Sequence, residues 1–326
     1  MKRVGIFVEE RKFSQLGFKN FVEWRRPDNC IEFSRITEHE SFECQGPFDL
    51  IVHKSLFLKA RDPFLCSQFE NFVRSNINIL FIDKIDSVSA ILDRFKQCEK
   101  LARSIKLFGL GDVVLVPPFC LCCGDLEKDI YSFRKANLKF PVVCKPIAAH
   151  GDAAAHDMMI LFREEDLKLI KTQAVLQNFE NHDGFLLKAY VIGDYFHLVL
   201  RPSIKNLSKD HDPIIFNSHH VSKESSHSEL NNDGGIPQIE DICVEEDLIK
   251  RTIDALRTHL DLELFGVDFL ILPPSGHEHR LAVIDVNIFP DYNCVPGFFF
   301  HLENLVRTKL DLPKLTSSSI FTCRQE

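Results

Sequence analysis

Two acids and an amide stand where a β-hairpin would bring them together. The runs LFGVDFLIL (264–272) and LAVIDVNIF (281–289) flank the loop PPSGHEHR (273–280). A hairpin symmetric about Gly276 and His277 sets Asp268 opposite Asp285, and strand alternation puts Asn287 on the same face as Asp285. Leu270, Leu272, Leu281 and Val283 flank them on that face, and Ala282, Ile284, Val286 and Ile288 line the other. Both faces therefore read as buried. Facing carboxylates are costly in such a place unless a cation neutralises them. Oxygen ligands without Cys or His suit Mg²⁺, which shares its shell with water and phosphate. The alternative is a water-facing strand edge with incidental acids.

Phosphate would need a holder other than the usual glycine loops. No G-x-x-x-x-G-K-[ST] motif occurs, and no G-x-G-x-x-G follows the first strand. Lys145 in FPVVCKPI and Lys188 in GFLLKAYVI each interrupt an apolar strand, where an unpaired ammonium is disfavoured. A bound phosphate would resolve both, whereas a single strand lysine can also snorkel to solvent.

The elements that must carry these groups come in two styles. In the first third, Val4–Val8, Ile31–Ile36, Leu50–Lys54 and Ile77–Ile82 read as buried strands. Phe13–Arg26, Phe64–Arg74 and Val88–Ser104 between them have helical spacing. That alternation predicts a small, mostly parallel α/β sheet. From Pro117 the strands pair with neighbours: Phe140–Ile147 with Met158–Phe162, and Phe185–Ile192 with Tyr195–Arg201 across Gly193-Asp194. Residues 205–240 read as a long polar loop, the kind that serves as a functional lid. Val244–Leu260 and Phe298–Leu310 read as helices on either side of the acid hairpin. The expected organisation is an α/β lobe at 1–105, α+β lobes at 106–200 and 201–311, and a tail at 312–326.

Bulk properties exclude several classes. In 326 residues, 47 acids against 39 bases give a net charge of −8, which argues against general nucleic-acid or membrane-surface binding. A small polyanion remains compatible if bases gather locally. No window approaches the roughly 20 apolar residues of a membrane helix, and no signal peptide is read at the start. Eleven Cys, including the close set Cys120, Cys122 and Cys123, show no zinc-ribbon spacing and predict reduced thiols in a cytoplasmic protein. Nothing forces a dimer, so a monomer is expected.

Five linked motifs carry a resemblance: VCKPIAAHG (143–151), LQNFENHDGFLLKAYVIGD (176–194), RPSIKNL (201–207), FNSHHVSK (216–223) and IDVNIFPDYNCVPGFF (284–299). The chain resembles the inositol 1,3,4-trisphosphate 5/6-kinase family, also called inositol-tetrakisphosphate 1-kinases, from Arg3 to about Leu310. The resemblance implies an ATP-grasp fold, with ATP between two lobes and the N-terminal lobe on the substrate side. It further implies Arg94 and Lys145 on the ATP phosphates, and an adenine hinge near Gln177, Asn178 and Phe179. Ser203, Ser218, Ser222 and Lys188 would line the nucleotide site. Asp268, Asp285 and Asn287 would bind two Mg²⁺. Lys12, His150, His156, Lys188 and Asn287 would meet the inositol phosphate, with Asp291 in the turn beside it. Lys54, Arg201, Lys205 and Lys223 would shape the field. Lys145, Lys188 and Asp285 would form the catalytic set.

Three departures stand out. His150 and His156 are six apart, one more than the family's usual spacing. Pro146-Ile147 replaces a family Arg or similar residue after the strand lysine. Pro290-Asp291-Tyr292 stands where the family usually has Pro-Gly-Tyr, so an acid faces an anionic ligand. The implied reaction is in-line transfer of the ATP γ-phosphoryl to an inositol hydroxyl, driven by positioning and charge neutralisation and open to reversal. The rival readings are an ATP-grasp carboxylate ligase and an inositol-phosphate-binding protein with little or no turnover.

Overall fold

Three sheets divide the positions just read. The protein is described by a computed structural model, which covers residues 1–326 apart from 27, 150–152, 224, 225, 227, 233–236, 239–241, 243, 244, 273–280 and 317–326. The predicted alternation gives a parallel first sheet of β1 (Lys2–Phe7), β2 (Ile31–Arg35), β3 (Leu50–His53) and β4 (Leu80–Ile82), ordered β2-β1-β3-β4. Helices α1 (Glu10–Gln15) and α2 (Phe18–Glu23) lie between β1 and β2, and α3 (Leu56–Arg61) and α4 (Pro63–Ser75) between β3 and β4.

The helix expected over 13–26 is thus two. Gly17 breaks it with φ +83°, and a Cβ there would stand 2.9 Å from the Phe299 ring. The helix expected over 88–104 also divides, into α5 (Ile85–Ser89) and α6 (Arg94–Leu107). Asp93 caps α6 by accepting the Lys96 amide at 3.0 Å, which fixes a new helix start inside the apolar pattern. The strand expected from Ile77 begins only at Leu80, because Ile79 N–H closes a turn onto Asn76.

The second sheet holds β6 (Phe119–Cys122), β7 (Val142–Pro146), β8 (Asp157–Leu161), β9 (Ala174–Asn178) and β12 (Ile214–Asn217), ordered β12-β8-β7-β9-β6, with α7 (Leu126–Lys135) following β6. The third holds β5 (Val114–Leu115), β10 (Phe185–Ile192), β11 (Tyr195–Pro202), β13 (Leu264–Ile271) and β14 (Leu281–Ile288), ordered β11-β10-β13-β14-β5. Helices α8 (Glu246–Leu260) and α9 (Phe298–Lys309) accompany it. Both expected strand pairs, β7–β8 and β10–β11, form.

Sheet membership crosses the expected division at residue 200. The β10–β11 hairpin pairs with β13 and so belongs with the acid hairpin. The expected 205–240 loop contributes β12 to the edge of the second sheet, because Ile214–Asn217 pairs with Asp157–Ile160. The first and third sheets are joined by Asp83, whose carboxylate accepts the amides of Glu263 (2.6 Å) and Leu264 (3.0 Å).

Candidate active site

The hairpin forms in the predicted register where it matters. Asp268 pairs with Asp285 and Gly266 with Asn287 across β13 and β14. Beyond Asp268 the register slips, pairing Phe269 with Val283 and Leu270 with Ala282. This bulge corrects the symmetric pairing expected there, and such an extra residue re-aims the strand beside a site. On the other side of β13, Lys188 of β10 lies opposite Asp268.

The four side chains form one chain of hydrogen bonds. Lys188 Nζ donates to Asp268 Oδ1 at 2.7 Å and to Asn287 Oδ1 at 2.6 Å. Asn287 Nδ2 donates to Asp285 Oδ2 at 3.0 Å, and Asp285 Oδ1 accepts the Val286 amide at 3.0 Å. Burial pushes the Asp268 carboxyl above its usual range. Lys188 works against that rise, and the facing Asp285 adds to it. Among the described residues no group of three His, Cys, Asp or Glu gathers as a metal site. The hairpin set is two acids and an amide, an all-oxygen donor set of the kind a hard divalent cation takes.

Lys145, on β7 of the second sheet, reaches across to this hairpin. Its Nζ donates to Gln177 Oε1 at 2.7 Å and to the carbonyl of Ile284, next to Asp285, at 3.3 Å. Burial lowers its pKa, with Cys98 and Asp285 acting the other way. Gln177 is therefore a side-chain partner of the lysine as well as a backbone position. The amides of Asn178 and Phe179 are bonded to Pro118 O (2.9 Å) and Pro141 O (3.0 Å). As hinge donors for a base these two N–H groups are already spent.

Arg94, at the start of α6, is buried, and its guanidinium donates to three carbonyls: Pro146 and Ala148 at 2.7 Å and Ala155 at 2.9 Å. The expectation of a direct phosphate contact meets a side chain that holds the segment following Lys145. No sequence signal could reveal this, since all three acceptors are backbone. His150 lies outside the described residues. His156 Nδ1 lies 3.3 Å from Ser218 Oγ, and its ring lies against His219, with centroids 3.6 Å apart and planes tilted by 34°. Burial, with the neighbouring His219, lowers the His156 pKa.

Ser218 and Ser222 share one turn after β12, whereas Ser203 follows β11. Ser222 Oγ donates to the Ser218 carbonyl at 2.9 Å, and Ser203 Oγ lies 2.7 Å from His182 Nε2. His182 Nδ1 sits 2.6 Å from the Glu180 carbonyl, which can only accept. The proton is therefore on Nδ1, and Ser203 donates to Nε2. Sequence reasoning missed His182 as well as Asn231, whose amide donates to Ser203 O (2.9 Å) and Val221 O (3.0 Å). Nothing in a polar run marks one Asn as the buried one. His219 was legible only as half of the His-His pair in FNSHHVSK.

On the side of the first sheet, Lys12 of α1 is buried, 2% exposed, and pairs with Asp291 Oδ1 at 2.7 Å. Lys54, after β3, stands beside this pair. Burial and then the charge of Lys12 push its pKa down to about 7, against the pull of Asp291 and Glu9. Its charge is thus present below pH 7 and lost above. An unfolded Lys keeps its proton to about 10.5. The native state therefore carries this charge's full penalty below pH 7 and is relieved of it between pH 7 and 10.5. Binding of a polyanionic acceptor should run the opposite way. We expect its KM to rise about threefold from pH 6.5 to 8.5. In Lys54→Arg, which stays charged, that rise should vanish for the same acceptor, and a rise equal to wild type's would remove Lys54 from the acceptor site.

An antiparallel second sheet carrying Lys145 over a third sheet carrying Lys188 and the acid hairpin defines an ATP-grasp protein. The solved D-Ala:D-Ser ligase VanG of Enterococcus faecalis superposes with TM-score 0.56 at 14% identity, covering 94% of this chain and 98% of the ligase. D-cycloserine synthetase DcsG gives TM-score 0.58 at 13% identity, covering 94% and 99%. At those identities the likeness is one of fold. Residues 111–308 match the inositol 1,3,4-trisphosphate 5/6-kinase ATP-grasp domain, and residues 3–88 its pre-ATP-grasp domain. The chain belongs to the inositol 1,3,4-trisphosphate 5/6-kinase family. It is 34% identical to the inositol-tetrakisphosphate 1-kinase of Xenopus laevis, over 96% of this chain and 80% of that protein. Against the Danio rerio enzyme of the same name it is 35% identical, over 95% and 79%.

Proposed function

We propose that this protein transfers the γ-phosphoryl group of ATP to a hydroxyl of an inositol tris- or tetrakisphosphate. The observation that carries the reading is the junction of Asp268, Asp285, Asn287 and Lys188, with Lys145 reaching in from the facing sheet. Asp268, Asp285 and Asn287 fit Mg²⁺ by donor type, and two ions are the number we propose. Bound there, Mg²⁺ would neutralise phosphate oxygens and hold them in line.

The chain's own groups then divide the work. Lys145 and Lys188 would offset charge on the nucleotide phosphates, and Lys188 would exchange its carboxylate partner for a phosphate oxygen. Arg94 is a positioning residue, fixing the backbone beyond Lys145. Gln177 orients Lys145, and the carbonyls of the 177–179 segment would serve the adenine. Ser203, Ser218 and Ser222 with their partners would shape the nucleotide's other wall. Lys12, His156 and Asp291 would orient the acceptor. No proton acceptor of raised basicity is required, because a loose transition state needs chiefly alignment and charge stabilisation.

We further propose a cytoplasmic monomer. The cysteines resolved among the described residues are all free, which supports a reducing setting, and no helix there is long and apolar enough to cross a membrane. The test is product identification by anion-exchange chromatography after incubation with ATP, Mg²⁺ and defined inositol phosphates, alongside amino acids as acceptors. Label on an inositol hydroxyl is expected. Label only on carboxylates would overturn the kinase reading.

A further inference from the structure

The Lys12 ammonium has three N–H groups and three oxygen neighbours. Asp291 Oδ1 lies at 2.7 Å, the Pro290 carbonyl at 3.1 Å and the Phe289 carbonyl at 3.4 Å. Its donors are therefore all engaged within the protein. The Phe289 ring also sits 4.9 Å from the charge. Lys12 is almost fully enclosed, yet the Asp291 side chain is 39% exposed, so the partner that can move is the acid. Its second oxygen, Oδ2, accepts from Arg11 Nη2 at 3.4 Å.

The pocket thus brings its own anion. Arg11, Lys12 and Lys54 supply the positive groups, and Asp291 with Glu9 the negative ones. Burial works against ionisation of Asp291, but Lys12, Lys54 and Arg11 together hold its carboxyl below the usual range, so it is charged at neutral pH. A phosphate arriving here meets that carboxylate at close range and must displace it from two cations. A hydroxyl meets no such repulsion, and it can donate to the acid while the cations stay paired.

Resting on the inositol phosphate reading above, we propose that Asp291 is a specificity-determining residue. It serves as a built-in counter-ion for Lys12 and Arg11, disfavours a phosphate at the ring position facing Lys12, and selects a free hydroxyl there. The acceptor class that follows is an inositol phosphate with an unsubstituted position on that edge, favoured over a more highly phosphorylated one.

The test compares wild type, Asp291→Asn and Asp291→Glu. For Asp291→Asn, the ratio of kcat/KM for inositol tetrakisphosphate over trisphosphate should rise about tenfold, since one close charge is worth that much. Asp291→Glu, which keeps the carboxylate, should hold the ratio within about twofold of wild type. Calorimetry with inositol hexakisphosphate, which needs no turnover, should give a Kd about tenfold tighter for Asp291→Asn. An unchanged ratio with unchanged or weaker hexakisphosphate binding would overturn the proposal. If wild type phosphorylates none of these acceptors, the functional reading fails instead, and the calorimetric arm still decides whether Asp291 repels a polyanion.

Discussion

Asp285→Asn is expected to lower kcat by about a thousandfold, ~4 kcal/mol of transition-state stabilisation, with the fold intact. The acid occupies a position that joins both sides of the site. It faces Asp268 across the hairpin, shares a hydrogen bond with Asn287, and follows Ile284, whose carbonyl Lys145 touches. An amide there has nearly the same shape but no charge to offer a cation. It would also point an N–H₂ at one of two donors, since Asp285 accepts from both the Val286 amide and Asn287 Nδ2. That loss costs about 1 kcal/mol. Relief of the like-charge pair with Asp268 works in the opposite direction. The melting temperature should therefore move by no more than about 4 °C. ADP release at saturating ATP and acceptor, followed over a Mg²⁺ titration, checks the first statement, and thermal denaturation checks the second. A kcat within tenfold of wild type would take the metal site away from this hairpin.

Glu303→Gln should cost about 3–5 kcal/mol of stability, among the largest effects any single side chain here can have. Glu303 on α9 is fully buried between two guanidiniums. Its Oε1 accepts from Arg307 Nε at 2.9 Å and Nη2 at 2.8 Å, and its Oε2 from Arg26 Nε at 3.2 Å. Arg307 keeps a second partner in Asp28 at 2.7 Å. Among the described residues, Arg26 keeps the Trp24 carbonyl, the faces of aromatic rings including Phe33 at 4.2 Å, and the weaker pull of the Asp28 charge. Burial already lowers the Arg26 pKa, and Glu303 is the main group opposing that. Removing the negative charge therefore leaves Arg26 enclosed without its main counter-charge. Because Arg26 follows α2 and Glu303 lies on α9, the damage falls on the contact between the first sheet's helices and the third sheet's. Urea unfolding should show the loss, and Arg26→Met in the same chain should recover part of it. A shift under 1 kcal/mol would mean that water reaches the pair.

The acid hairpin was legible because everything it needs is local. Alternation fixes the face, a short connection fixes the partner strand, and apolar neighbours on both faces make uncompensated acids improbable. The slip after Asp268 was not legible, since a bulge adds one residue without changing the alternating pattern around it. Lys145 and Lys188 were visible as charges inside apolar strands, but their partners were not. Lys188 finds Asp268 through strand pairing 80 residues away, and Lys145 finds Ile284 only because two sheets face each other. Arg94 reads as a free cation in sequence and is committed to three carbonyls in space. The divided helices at Gly17 and Asp93 were hidden by apolar spacing that continues across both breaks.

What the sequence determined by itself is the repertoire of short-range structure: which runs become strands or helices, and which charges sit inside them. Side-chain period and local backbone preference act over a few residues and survive without the rest of the chain. The tertiary structure alone decided which charges from distant elements meet. Lys12 and Asp291 lie 279 positions apart by their numbering, and their ion pair exists because α1 packs against the turn that follows β14. Coulombic partnership depends on distance in space and on the dielectric around it, and neither is written along the chain.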